Sequence, residues 1–412
     1  MRMKTYTCPM SLMVLSMALG CALPAYAQPV AFEGATLITG DGAPPIEGSV
    51  FVVEGGRFTI VGSAASVTIP AGTETVDLTG MSVMPAIIDA HVHTSTARDA
   101  LITDLRERAY YGVAAAVSLG ADGPGAAIEV RDEVVPGAAL YRTAGWGITA
   151  PEPGRNQVHW VTSAEEGRAA VRAEAGRGVD VIKIWVDDRN GQYEKLSPEI
   201  CRAVIDEAHA HDLRVTAHIF ALEEAKMLLN AGVDMFAHGV RDRDVDAELV
   251  EMMRERPEVI LVPNLPGRGV ATDLSWLEGS MPDADLDAIR AQNRDRPELR
   301  DAFGIQARNL ERLWRAGVRI AFGTDGNTPW GPHVEMEDMV AAGMPPADVI
   351  AAATRTAAEA AGLEGMGTIA SGNSADFIVL EASPLEDITN TRRIAAVYLR
   401  GEAVDRSGMA GD

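Results

Sequence analysis

Two periodicities share this chain. In residues 30–82 the apolar positions fall in short runs at 35–38, 49–53 and 58–61, and Gly40-Asp41-Gly42 and Gly55-Gly56 supply turns between them. This is the pattern of brief strands. The far end repeats it at 376–380 and 395–399, with a turn at Gly401. Between these ends, strand-length apolar runs lie at 83–90, 113–119, 139–145, 179–186, 214–219, 233–237, 259–263 and 318–323. Amphipathic stretches rich in Ala, Glu and Arg, such as Pro198–Ala210 and Leu222–Ala231, separate most of them and predict helices.

Eight strands with intervening helices match an α/β fold of the (β/α)8 TIM barrel type in number and size. An open doubly wound sheet is the rival, but no GxGxxG opens a helix after the first strand and no P-loop is present. The predicted organisation is a barrel over residues 83–362 and a small composite β-sandwich built from both termini, residues 28–82 and 363–412. Residues 267–297, polar and rich in aspartate, read as an elaborated loop after the seventh strand.

The first 27 residues stand apart. Arg2 and Lys4 precede a nearly continuous apolar run from Ser11 to Leu23, and Ala25-Tyr26-Ala27 puts small residues where a signal peptidase reads. This predicts a signal peptide cleaved after Ala27 and a periplasmic or secreted product. A membrane anchor and lipid attachment at Cys21, through Leu19-Gly20-Cys21, are the other readings; the run is short for a span. After cleavage Cys201 is the one cysteine left of three, so no internal disulfide can form.

The 412 residues are 47% hydrophobic, which allows a large core without cross-links. Asp and Glu number 59 against 36 Lys and Arg, a net charge of -23. Such a polyanion repels phosphate backbones and lacks a basic membrane-binding surface, which excludes nucleic acid and stable membrane insertion as general partners. A small-molecule substrate is expected, with a homo-oligomer as an open question.

Candidate chemistry lies in the histidines. Of eight, four fall at predicted strand ends. His91 and His93 close the first barrel strand in Asp89-Ala90-His91-Val92-His93, and strand alternation aims both rings to one side. His218 ends the fifth strand, His238 the sixth, and Asp325 the eighth. In a barrel these ends open on one mouth, and imidazole nitrogen with carboxylate oxygen suits zinc-like divalent cations. Singly, each is an ordinary core or surface residue; jointly, they point to a metal site.

Lys183 sits inside the apolar run Val181-Ile182-Lys183-Ile184-Trp185, where an amine is costly unless paired or modified. It could carry a CO2-derived carbamate and bridge two cations, or it could bind an anionic substrate or pair with Asp187 or Asp188. Candidate substrate contacts are His159 beyond the third strand, Arg189 and Tyr193 in the loop after the fourth, and Asn264 at the end of the seventh. An arginine fork suits a carboxylate. His333 could line the mouth or serve the fold, and His209 and His211 read as surface residues at a helix C-terminus.

These motifs carry a resemblance. Met84-Pro85-Ala86-Ile87-Ile88-Asp89-Ala90-His91-Val92-His93, Val181-Ile182-Lys183-Ile184, Thr216-Ala217-His218, Phe236-Ala237-His238-Gly239 and Gly323-Thr324-Asp325 resemble the amidohydrolase superfamily. The tail Gly367-Thr368-Ile369-Ala370-Ser371-Gly372-Asn373-Ser374-Ala375-Asp376-Phe377-Ile378-Val379-Leu380 looks like the returning sheet of that family. The nearest likeness is to the imidazolonepropionase-like branch with a carboxylated lysine, which includes Xaa-Pro-type dipeptidases and amidases acting on N-acyl amino acids.

The resemblance implies a TIM barrel with a composite β-sandwich and a binuclear centre of two divalent ions, usually Zn2+. It implies His91, His93 and Asp325 on the more buried ion and His218 and His238 on the more exposed one. A carbamate on Lys183 would bridge them, with a hydroxide between and Asp325 as general base and acid. A lysine in the fourth strand argues against imidazolonepropionase itself. The loop 185–193 departs from the glycine-rich loop of related dipeptidases, so the pocket should differ from theirs.

The expected activity is hydrolysis of the amide bond of a dipeptide or N-acyl amino acid. A lactone, ester or phosphotriester hydrolase is the alternative within enzymes, and a non-catalytic periplasmic binding protein is the alternative outside them.

Overall fold

The structure is a computed structural model that describes residues 28–407. The predicted signal peptide, with Cys8 and Cys21, lies outside the described residues. Six strands come first: β1 (Val30–Glu33), β2 (Thr36–Leu37), β3 (Ser49–Glu54), β4 (Arg57–Ser63), β5 (Glu74–Asp77) and β6 (Ser82–Pro85). Ten follow: β7 (Ile87–Val92), β8 (Val113–Ser118), β9 (Leu140–Thr143), β10 (Ile148–Thr149), β11 (His159–Trp160), β12 (Ile182–Trp185), β13 (Val215–His218), β14 (Met235–Ala237), β15 (Ile260–Val262) and β16 (Arg319–Ile320). Three close the chain: β17 (Phe377–Leu380), β18 (Ile394–Leu399) and β19 (Glu402–Ala403).

The middle strands form parallel ladders in the orders β7-β8-β9 and β11-β10-β12-β13-β14-β15-β16. This is an α/β fold with a parallel sheet. Strands β12 to β15 are buried along their whole length, which is why they read as continuous apolar runs rather than alternating ones. Backbone bonds continue past the ladder ends. Gly147 N–H donates to Gly120 O at 2.9 Å, Asp180 N–H to Thr143 O at 2.9 Å, and Ala90 N–H to Phe322 O at 3.1 Å.

The helices Pro198–Ala210 and Leu222–Ala231 occupy the predicted residues. The Ser197 hydroxyl caps the first, accepting from Ile200 N–H at 3.2 Å, with Pro198 in its first turn. The second ends at Gly232 in the left-handed conformation, φ 100°.

Two further sheets draw on the chain ends. One runs β4-β3-β1-β5; the other, β19-β18-β17-β6-β2, mixes strands from both ends. Their apolar side chains share one cluster, including Phe32, Phe51, Phe58, Val83 and Phe377. The Phe32 and Phe51 rings stack at 5.0 Å, and Phe377 meets Phe51 edge-on at 5.2 Å. Such pairs add to the burial of each large ring.

Three sequence expectations need correction. The run 83–90 is not one strand. Proline lacks an amide donor at Pro85, Ala86 N–H bonds to Asp376 O and Ile87 N–H to Gly112 O, so the chain changes sheets within two residues. The regular part of the eighth strand shrinks to Arg319–Ile320. Gly323 lies so close to β7 that a Cβ there would stand 2.9 Å from His91 N. Residues 267–297 are more than a loop, since they contain the helix Asp283–Gln292 and the 3-10 turn Ser275–Leu277. Leu274, Leu277 and Leu286 seat this insert on Tyr110 and Tyr111. No helix among the described residues is long and apolar enough to cross a membrane.

Candidate metal centre

The end of β7 places His91 and His93 against the segment following β16. His91 Nε2 lies 3.1 Å from Asp325 Oδ1, and His93 Nε2 lies 3.0 Å from the same oxygen. One donor atom from each of the three residues falls within 4.8 Å of the others. A latch behind them sets this geometry. Asp89 Oδ1 accepts from Thr324 N–H at 3.0 Å and Asp89 Oδ2 from the Thr324 hydroxyl at 2.8 Å. Buried Arg108 stands 3.6 Å from Asp89 and donates to Gly326 O at 3.2 Å. The latch therefore joins the His-x-His segment to the Asp325 segment from below.

Asn264 holds the other side of His91, with its Oδ1 2.9 Å from His91 Nδ1. When Nδ1 carries the proton for that bond, Nε2 turns a lone pair toward the Asp325 carboxylate. Two acceptors facing each other at 3.1 Å favour a cation at their meeting point. His238 (φ 75°), Asn264 (φ 43°) and Asp325 (φ 55°) all adopt the left-handed backbone conformation just beyond β14, β15 and β16. Non-glycine residues take this conformation at a cost, and functional sites concentrate it.

His238 and His218 complete the histidine set. Their rings are 4.4 Å apart, and His238 lies 5.4 Å from His91. Burial pushes the pKa values of His91 and His218 down to about 4 and that of His238 well below its usual value. All three imidazoles are therefore neutral, with lone pairs available as ligands. Burial works against the charge of Asp325, but the polar ring nitrogens of His91 and His93 that face it outweigh burial. Its carboxyl is held far below the usual range.

Lys183 is 1% exposed, and its Nζ has no hydrogen-bond partner. Burial lowers its pKa to about 7, against the pull of Asp325. Gly120 makes room for it, since a Cβ there would stand 2.9 Å from Lys183 Cγ. Both ring nitrogens of His238 also lack hydrogen-bond partners, while His218 Nε2 faces Asp187 Oδ2 at 2.8 Å. Neutral imidazoles, an ionised carboxylate and an orphaned amine form a donor set that fits divalent cations of the zinc type.

The predicted substrate contacts fare differently. Asn264 is committed to His91, so it positions a ligand. His159 Nε2 lies 2.5 Å from the buried carboxylate of Glu174. Arg189 is pinned between Glu152 (3.0 Å) and Asp187 (3.3 Å). Tyr193 is half-buried in the same loop. His333 is a fold residue, bonded through its two ring nitrogens to Thr391 and the Tyr111 carbonyl, each at 3.0 Å.

Sequence reasoning missed the Asp89–Arg108–Thr324 latch, and it offered Asp187 and Asp188 as partners of Lys183, whereas Asp187 Oδ2 stands 2.8 Å from His218 Nε2 and Asp188 pairs with Lys195. For Asp89 a signal existed, an acid two residues before His91.

Residues 82–404 match the family described as amidohydrolase family. The chain belongs to the amidohydrolase family. It is accordingly a hydrolase acting on carbon–nitrogen bonds. Among curated relatives, an ochratoxinase of Aspergillus niger is 28% identical over 425 residues, covering 85% of this chain and 81% of the relative. An imidazolonepropionase of Deinococcus radiodurans is 25% identical, covering 86% and 92%. Among solved structures, a candidate prolidase from Bifidobacterium longum superposes with a TM-score of 0.77 at 29% identity, covering 94% of this amidohydrolase and 97% of that chain.

Proposed function

We propose that this amidohydrolase is a metal-dependent enzyme of the periplasm or cell exterior, cleaving the amide bond of a dipeptide or N-acyl amino acid. The observation that carries the reading is Lys183: a fully buried amine with no partner, in a site where both ring nitrogens of buried His238 are also unpartnered. A carbamate there would place an anionic bridge between two cation sites. His91, His93 and Asp325 would hold one ion, and His218 and His238 the other. Bound divalent ions would acidify water and polarise the scissile carbonyl.

The chain's own residues do the rest. Asp325, kept ionised, is placed to take a proton from the attacking water and pass it to the leaving nitrogen. Asn264 fixes the tautomer and plane of His91, and the Asp89–Thr324 bonds hold Asp325 against the first strand. The bonds linking the two parallel ladders support one closed (β/α)8 barrel, and the shared Phe cluster supports a sandwich assembled from residues 28–82 and 363–412. Cleavage after Ala27 would release the exported form.

The test is turnover of zinc-loaded protein on dipeptides, N-acyl amino acids, lactones and phosphotriesters, with metal content measured alongside. Asp325→Asn should lower amide turnover by at least ~100-fold, the usual weight of a general base. Undiminished turnover in that variant would overturn the role given to Asp325. A fully metallated wild type inert on the whole panel would favour a binding protein.

A further inference from the structure

The loop after β14 carries a charge that the metal centre does not use. Arg241 stands three residues beyond His238, and its backbone N–H donates to Phe220 O at 2.9 Å, tying this loop to the one after β13. Its guanidinium carbon lies 3.1 Å from the centroid of the Phe220 ring. That same ring is 4.4 Å from His218 and 5.4 Å from His238. The side chain is half-buried, and among the described residues it makes no ion pair and no side-chain hydrogen bond. Burial lowers its pKa to about 10, and the carboxylates whose fields oppose this are Asp325 and Asp187.

The neighbouring arginines are spoken for. Arg189 holds Glu152 and Asp187, and Arg155 pairs with Glu152 at 3.2 Å while lying 3.7 Å over the Trp185 ring. Arg155 and Arg189 thus share Glu152 and Asp187, Asp187 also faces His218 at 2.8 Å, and neither acid pairs with Arg241.

We infer that Arg241 selects the substrate by gripping its free carboxylate, the α-carboxylate of the amino acid whose acylated nitrogen is released. This rests on the amide-hydrolase reading above. Stacking on Phe220 fixes the guanidinium plane while leaving its N–H edge free, which suits the two-pronged bond an arginine makes with a carboxylate. A half-buried cation lacking a counter-ion is pre-organised for a ligand that supplies one. One aromatic ring separates it from His218 and His238, and an α-carboxylate lies two bonds from the amide nitrogen. Lactones and phosphotriesters are neutral and offer this guanidinium nothing.

The test compares N-acetyl amino acids with the matching N-acetyl amines that lack the carboxylate, using zinc-loaded wild type, Arg241→Gln and Arg241→Lys. Wild type should favour the acids. Arg241→Gln should raise KM for the acids roughly 10–100-fold with little change in kcat, as expected for a lost charge-assisted bond. It should leave the amines unchanged, and Arg241→Lys, with charge but no fork, should fall between.

Thermal melts of the variants should overlay wild type; if Arg241→Gln does not fold, the acid-to-amine ratio of Arg241→Lys decides. Equal loss on acids and amines, or no loss on acids, overturns the inference. Cleavage of the amines alone overturns it and leaves the amidase reading standing. Calorimetry separates the remaining case: Arg241-dependent binding of N-acetyl amino acids without turnover supports the carboxylate grip and sinks the hydrolytic reading. Neither binding nor turnover sinks the grip.

Discussion

Replacing Lys183 with methionine should make the metal-free protein more stable, not less. The amine is fully buried without a partner, and burial brings its pKa from 10.5 to about 7. In the unfolded chain it titrates near the ordinary lysine value of about 10.4. Between about pH 7 and 10.5 the unfolded state therefore binds more protons than the folded one. Stability rises with pH across that window and is flat, for this group, outside it. At ~1.4 kcal/mol per pKa unit, the penalty at pH 7 is about 4 kcal/mol, and it all but disappears by pH 10.5.

Methionine has similar length and no charge, so its own packing cost stays below ~1.5 kcal/mol. Urea unfolding in chelator and CO2-depleted buffer reads the difference directly. Lys183→Met should exceed wild type at pH 7 by a margin of several kcal/mol, and the two curves should converge toward pH 10.5. Zinc and bicarbonate should reverse the order, because only wild type gains a ligand-linked stabilisation that grows with the free metal concentration. A metal-free wild type as stable as Lys183→Met at pH 7, or a gap that does not change with pH, would refute the reasoning.

Two more perturbations probe the support of the site and of the terminal sheets. Asn264→Ala removes the acceptor at His91 Nδ1 and should weaken metal binding by roughly 10–100-fold, measured by competition with a chromogenic chelator. Phe377→Ala empties the centre of the aromatic cluster shared by the two terminal sheets and should cost about 3–5 kcal/mol in calorimetric unfolding. A loss below ~1 kcal/mol would mean that the cluster does not hold those sheets together.

The centre was legible where local rules decide it. His91 and His93 sit two residues apart on a strand, so the pleat fixes their shared direction. Lys183 stood out because a charge in an apolar run has few cheap explanations. Residues defined by tertiary partners were not legible. Arg108 is an ordinary helical arginine until the helix Arg98–Tyr110 carries it to Asp89. Asn264 reads as a lining residue until His91 takes its carbonyl. Arg189 and Arg241 are indistinguishable loop arginines in sequence, and only the positions of Glu152 and Asp187 show which one is occupied. Polar composition hid the insert helix, because Leu274, Leu277 and Leu286 find their apolar partners at Tyr110 and Tyr111.

Strand β17 occupies the middle of a five-stranded sheet, bonded to β6 on one side and β18 on the other. A ribosome makes β6 roughly three hundred residues before it makes β17, and loop closure over so long a separation is slow. Until then β6 is paired only with β2 and its other edge has no neighbour, so a nascent chain stalled anywhere before residue 377 carries a sticky seam beside the parallel strands. Carboxy-terminal truncations of a few dozen residues should therefore aggregate rather than merely lose activity, and expression tags belong on the outer strand end rather than in place of it.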